Sequence, residues 1–303
     1  MPDQKLESNV SENSKFDAMQ KISSLGFRRM PKAPLPLSPI LSEFQAAFEA
    51  RIASLTLAEK WDNVGMLVES VRSMKYEKLR VLTCIDLTKQ VSEEAVRENC
   101  NFIVAYHPIL FRATKNLTLS SQSAVLTCLD AGISVFSPHT ALDAAEKGMN
   151  DFLCDLINDP KNESSRCAVS VDPVTRINSG RIVYFKEPVP LSQFFATIKK
   201  SLNIPQLRVA CNIEHTAKLN SFAVCVGSGS SVLQGCVADV YITGEMSHHE
   251  ILAATSIGKV VVLLDHSSSE RPFLPELARR LREFEMIESV LLSRTDREPI
   301  STV

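Results

Sequence analysis

Residues Leu79 to Pro108 read LRVLTCIDLTKQVSEEAVRENCNFIVAYHP. Two apolar runs, LRVLTCID and NFIVAYHP, flank KQVSEEAVREN, whose mixed apolar and polar positions fit a helix. Strand, helix and strand in so short a span imply a parallel βαβ unit, since parallel neighbours need a crossover between them. The alternation continues downstream, with SQSAVLTCLDAG a helix, ISVFSPHT a strand and GMNDFLCDLI a helix. These strands are nearly continuous in apolar residues, as in a sheet covered on both faces. A second block repeats the pattern: GRIVYF, LRVAC, LNSFAVCVG, DVYITG, KVVVLLDH and IESVLLS read as strands, and LSQFFATIKKSLN, SHHEILAATSIG and PFLPELARRLREF as helices. The fold class is α/β, and the shared alternation of the two halves fits two similar lobes.

Upstream of this core, Ile40, Leu41, Phe44, Phe48 and Ile52 lie at helical spacing. In LAEKWDNVGMLVES, the turn residues Asp62, Asn63 and Gly65 predict a helix-to-strand connection with Trp61 packed beneath it. Residues 1–36 are polar and mixed in charge, then Pro-rich, and read as a disordered or loosely attached tail before a structured region over 37–303. Between Asn158 and Ser179 the composition shifts to Pro, Asn, Ser and charge, which marks a lobe boundary or a surface excursion.

A chain of 303 residues buries roughly three quarters of the surface its unfolded form exposes, enough for two cores. Apolar residues are 45%, charged residues 22% and the net charge is −2. This is the profile of a soluble globular protein, and it argues against a general nucleic-acid or membrane-surface binder. No apolar run approaches the ~20 residues of a membrane span. The eight cysteines form no CxxC pair and several lie inside apolar runs, so they read as reduced core thiols. Asp3, Glu7 and Glu12 argue against a mitochondrial presequence, basic amphipathic character being confined to Lys15 through Arg29. The expected location is the cytoplasm, extending to the nucleus.

Three apolar runs end on histidine: NFIVAYHP on His107, ISVFSPHT on His139 and VVVLLDH on His266. In open α/β sheets the ligand crevice lies beyond the carboxyl ends of the strands, where all three fall. Asp143 and Glu270 each follow one of them by four residues. Mixed imidazole and carboxylate donors suit Zn, Mn, Fe or Ni. The competing reading makes each histidine a hydrogen-bonding residue at a strand end. A Ser-His-Asp hydrolase is a weaker alternative, because no GxSxG elbow occurs.

Two further stretches carry candidate chemistry. VGSGSSVLQG places Gly227, Gly229 and Ser230 between a strand and a helix, as an anion-holding loop or as a plain tight turn. ITGEMSHHEILAA sets Glu245 past a strand and His248 and His249 at a helix start, with Ser247 as N-cap. Glu245 and His248 are candidates for general acid-base work, with simple solvent exposure as the alternative. Adjacent helical histidines point about 100° apart, so one at most faces a crevice.

The blocks WDNVG, YHPILF, SPHTALDAA, GSGSS, TGEMSHHE and DHSSSER, in this order, resemble the NIF-three-like family, also called the GTP cyclohydrolase I type 2 homologues. The resemblance spans Ile40 to the C-terminus. It implies two intertwined α/β/α three-layer lobes with mostly parallel sheets, a toroidal homo-hexamer, and a site for one or two divalent transition metals per subunit. Carried onto this chain, the family's metal ligands fall on His107, Asp143, His266 and Glu270. The chain departs at Tyr106, where many bacterial members have histidine and the eukaryotic branch has tyrosine. A phenol with an ordinary pKa near 10 is the poorer ligand, which bears on the metal count.

From this resemblance follows the expectation of metal-dependent hydrolysis of a small substrate, of nucleotide or phosphate-bearing type, with a metal-bound water as nucleophile. Glu270 or Asp143 would bridge two metals, and Glu245 or His248 would move protons. The family name does not itself assign GTP cyclohydrolase activity. Eukaryotic relatives are associated with transcriptional co-regulators, so the alternative is a non-enzymatic regulatory factor with a structural or vestigial metal site.

Overall fold

The two strand-helix blocks of the sequence become two sheets in the computed structural model, which describes residues 37–172, 177–214 and 216–301. The expected N-terminal tail, residues 1–36, lies outside the described residues. The first sheet has five strands in the order β1 (Gly65–Val68), β4 (Ser134–Ser137), β3 (Phe102–Ala105), β2 (Leu79–Cys84) and β13 (Ile287–Leu292). All its pairings are parallel except that of β1 with β4. The second has six, in the order β5 (Glu163–Cys167), β8 (Arg181–Pro190), β10 (Lys218–Cys225), β11 (Val240–Thr243), β12 (Val260–Leu263) and β9 (Arg208–Ala210). Its centre, β10 to β12, is parallel and its outer strands pair antiparallel. Because β13 returns from the second block to pair with β2, the two lobes are intertwined.

The strands β3, β4, β11 and β12 are buried at every position, which is why their sequences lack polar alternation. Successive residues still face opposite layers. From β3, Ile103 and Ala105 join a core with Val91 and Ala95 of α2 (Lys89–Arg97) and Val125 of α3 (Ser123–Ala131). Phe102 points the other way, its ring 4.6 Å from that of Phe44 on α1 (Pro39–Arg51). Leu41, Phe44 and Phe48 form the buried stripe of α1, at the spacing that gave the helix away.

In the second sheet Ala223, Tyr241 and Val261 pack with Ala254 of α8 (His248–Ser256). Phe222 faces the opposite layer and meets Phe194 of α6 (Leu191–Leu202) at 5.1 Å. Each sheet therefore sits between helices, in the α/β/α arrangement. The Pro- and Ser-rich segment supplies the edge strand β5 and a two-stranded ribbon of β6 (Ser170–Val171) and β7 (Asn178–Ser179). All eight cysteines are free; Cys84, Cys100, Cys128 and Cys154 are buried, but Cys167 is exposed and Cys211, Cys225 and Cys236 are only partly buried, so the reading of core thiols holds for half of them. Trp61 corrects the sequence reading: it is not packed beneath its turn but 60% exposed.

Candidate metal centre

The parallel ladder extends two rungs past the end of β3, with Tyr106 N donating to Cys84 O (2.9 Å) and His107 N to Ile85 O (3.0 Å). Pro108 has no N–H to continue the ladder, so the chain leaves the sheet with His107 at its rim. On the second sheet, the chain after β12 passes through Asp265, in the left-handed region at φ 64°, and enters the short helix α9 (His266–Glu270). A non-glycine residue there costs about 1–3 kcal/mol. The sharp turn sets His266 and Glu270, four residues apart, on one face of α9. The carboxyl ends of both sheets thereby line one cavity of about 560 Å³.

Across this cavity Glu270 Oε1 lies 3.4 Å from His107 Nε2 and 3.3 Å from His266 Nε2. Donor atoms of the three side chains all fall within 4.8 Å of one another, a grouping that could hold a metal ion. Each imidazole is fixed from behind: Asp86 Oδ1 takes His107 Nδ1 at 2.9 Å and Glu245 Oε1 takes His266 Nδ1 at 2.8 Å. A carboxylate on Nδ1 leaves Nε2 turned to the cavity and makes it the more basic ligand. Glu270 is almost fully buried, yet its Oε2 has no hydrogen-bond partner among the described residues. A buried carboxylate oxygen without a partner is costly unless something cationic meets it. The donor set and this orphaned atom both fit a divalent transition ion.

The charges agree with that arrangement. Burial opposes charge on His107, but the Asp86 and Glu270 carboxylates overcome it and lift the imidazole to about 10. His266 rises to about 9, chiefly through its contact with Glu270. Burial raises Glu270, but the two imidazoles outweigh it and hold the carboxyl below its ordinary range.

Asp143, the fourth residue the family resemblance indicated, lines the same cavity but is engaged differently. Tyr106 Oη donates to Asp143 Oδ1 at 2.8 Å. Burial pushes the Asp143 carboxyl up to about 7, and burial together with the Asp143 charge drives the Tyr106 phenol well above its ordinary value. Tyr106 is thus a neutral donor to Asp143.

Gly227 explains part of the glycine-rich loop. At φ +62°, an added Cβ would lie 2.5 Å from Glu270 Oε1 and 3.2 Å from His266 Nε2. The bare backbone is what lets the loop pass beside the cluster. Its N–H goes to Ser269 Oγ (2.8 Å), and that of Gly229 to Thr243 Oγ1 (3.0 Å), so both are spent inside the protein rather than offered to an anion. Ser230 opens α7 (Ser230–Leu233), a single turn.

Of the acid-base candidates, Glu245 reaches the site as the orienting partner of His266. His248 does not: it is exposed at the start of α8, its ring 5.4 Å from that of His249, and it does not line the cavity. His139 does line it, with Nδ1 held 2.7 Å from Asp62 Oδ1. Sequence reading took Asp62 only as a turn residue and passed over Asp86. Asp86 had a usable signal, ending an apolar run as the histidines do. It also missed Asp296, which accepts from Ile85 N (2.6 Å) and Arg271 Nη1 (2.6 Å), and Glu298, which accepts from Ser267 Oγ (2.8 Å). These bonds tie the C-terminal segment to the end of β2, beside Asp86, and to α9, which carries His266 and Glu270.

Two intertwined α/β/α lobes whose strand ends share one histidine-carboxylate cluster define an α/β protein built around a candidate metal centre. The chain belongs to the Duf34/NIF3 (NGG1p interacting factor 3) family, whose sequence profile matches residues 41–299. It is 38% identical over 260 residues to NGG1-interacting factor 3 of Saccharomyces cerevisiae, covering 80% of this chain and 90% of that protein. Identity to NIF3-like protein 1 of Homo sapiens is 30% over 339 aligned positions, covering 83% and 89%. Among solved structures it resembles a hypothetical protein of Staphylococcus aureus (TM-score 0.72, 23% identity, 89% of this chain and all of that one). It also resembles reduced HcgD from Methanocaldococcus jannaschii (TM-score 0.71, 24% identity, 83% and 96%). At these identities the structural likeness shows the fold.

Proposed function

We propose that the chain is a metal-dependent, hydrolase-like protein that holds one divalent transition ion, of the Zn, Mn, Fe or Ni type, on His107, His266 and Glu270. The observation that carries this is Glu270: buried, facing two aimed imidazole nitrogens, with an oxygen left unpartnered among the described residues. When bound, such an ion supplies Lewis acidity to the cavity. The chain's own residues do the rest. Asp86 and Glu245 orient the imidazoles, Gly227 leaves room beside them, and Tyr106 keeps a proton at Asp143 Oδ1. A cavity of about 560 Å³ suits a small substrate, which we take to be phosphate-bearing.

The test is elemental analysis of purified protein beside His266→Ala, followed by a turnover screen of loaded and chelated protein against nucleotides and phosphoesters. Stoichiometric metal that disappears in the variant, with turnover that needs it, supports the reading. Absence of metal, or content indifferent to His266→Ala, overturns it.

The name of the yeast relative favours a second reading, in which the protein is a partner of transcriptional co-regulators, with the metal site structural and the protein present in cytoplasm and nucleus. No helix among the described residues is long and apolar enough to cross a membrane. Co-regulator binding that survives chelation, without turnover, favours this second reading. Family membership also supports a homo-hexamer, which light scattering on the full chain would check by mass.

A further inference from the structure

Trp61 and Phe111 are 60% and 44% exposed. Other large aromatics, including Phe44, Phe102, Phe136 and Phe222, are fully buried. The two exposed rings meet at 5.9 Å and 73°, and each also meets His139: Trp61 at 6.0 Å and 76°, Phe111 at 6.2 Å and 87°. Three rings mutually near-perpendicular make a corner, against which a planar ring can stack on one member while receiving the edge of another. This corner and the metal cluster line the same cavity, and His139 lies only 5.4 Å from His107, ring to ring.

His139 is built into the corner rather than resting on it. The Asp62 carboxylate, fully buried, holds His139 Nδ1 at 2.7 Å and is itself held by Thr140 N at 3.1 Å. The His139 backbone sits at φ 32°, on the positive-φ side that residues other than glycine adopt uncommonly. With Nδ1 committed to a carboxylate, Nε2 is the ring nitrogen left to meet a ligand. Apolar faces beside a fixed polar nitrogen are the recognition chemistry of a nitrogen heteroaromatic ring; an aliphatic phosphate would need donors instead.

We infer that Trp61, Phe111 and His139 form a subsite for a planar nitrogen heteroaromatic ring of purine type, placed so that the remainder of the ligand extends toward the His107, His266 and Glu270 cluster. The inference rests on the metal-centre reading only for what the ring is presented to. Its test does not need the metal. Trp61 is the chain's one tryptophan, so emission excited beyond the absorption of the four tyrosines reports this corner alone.

Guanosine and adenosine are titrated into the full chain, loaded and chelated, with ribose 5-phosphate as the ringless control. Saturable quenching by the nucleosides, none by the control, and a roughly tenfold weakening in Phe111→Ala are expected. Phe111→Leu, which keeps apolar bulk and removes the ring, weakens binding likewise and stands in should the alanine variant fail to fold. Phe111→Tyr retains it. Quenching that persists in His266→Ala supports the subsite whatever becomes of the metal assignment. Protein that binds metal but is not quenched, is quenched equally by ribose 5-phosphate, or is indifferent to Phe111→Leu overturns the subsite and leaves the metal centre standing. An emission shift that follows protein concentration alone, as burial of Trp61 against a second copy would give, overturns it too.

Discussion

On one side of the cavity Glu270 faces two imidazole nitrogens and keeps a buried oxygen that meets no partner among the described residues; on the other, Asp143 already accepts a hydrogen bond from the Tyr106 hydroxyl at 2.8 Å. Both carboxylates are carried on short helices that follow strands, α9 and α4 (His139–Ala144). They differ in what has been brought to meet them. Imidazoles with carboxylates behind them leave a donor set open, whereas a phenol that burial holds in its neutral form closes one. One residue at the end of β3 thus separates a donor cluster that could hold a cation from a carboxylate satisfied within the protein.

The largest effect expected from this contrast belongs to Glu270→Gln. Under the proposed reading, neutralising the carboxylate that lies between His107 Nε2 and His266 Nε2 removes the anionic ligand they share, and the variant purifies without the ion. Elemental analysis that still finds one ion per chain would sink the assignment. Next comes Tyr106→His, which replaces the neutral donor with an imidazole beside two carboxylates. The closed half then resembles the open one, and the metal content rises from one to two ions per chain. A content that stays at one, in protein with an unchanged circular dichroism spectrum, shows that Asp143 is closed by something other than the tyrosine.

A smaller change follows from the supporting shell. Asp86→Asn keeps a hydrogen bond to His107 Nδ1 but removes the charge that aims the ring. Outer partners of this kind are worth about 10–100-fold in metal affinity. Calorimetric titration should find a loss in that range at unchanged stoichiometry, while an unchanged affinity would make Asp86 a bystander.

The open half was legible in the sequence because its residues break a pattern: His107 and His266 interrupt apolar runs where strands stop, and Glu270 lies one helical turn from His266. Asp143 was legible on the same grounds, but its pairing with Tyr106 was not, since nothing in YHP and HTALD says that their side chains touch. The fold's alternation was plain in β2, α2 and β3, whose contacts are local. The return of β13 to β2 joins segments about 200 residues apart, which no periodicity encodes. Asp296 and Glu298 escaped notice for the same reason, being ordinary acidic residues until the C-terminal segment folds back over α9. Trp61 was misplaced because an aromatic beside a turn is more often packed than exposed, a preference that gives way where a cavity opens.

The subtlest expected effect concerns pH. In the metal-free protein the carboxylates lift His107 to about 10 and His266 to about 9, from an ordinary 6.5. Groups whose folded pKa is raised stabilise the fold fully below the unfolded value, here 6.5, and that contribution is lost as pH climbs through 9 and 10. An ion on Nε2 needs the same nitrogens unprotonated, so its binding must expel the protons that Glu270 favours. Across that window the chelated protein should therefore lose stability while the increment in Tm on adding metal grows. Thermal unfolding of loaded and chelated protein at three pH values in the window reads both trends. Should the metal increment shrink with rising pH, the ion is not displacing protons from His107 and His266, and the open half of the cavity is not where it sits.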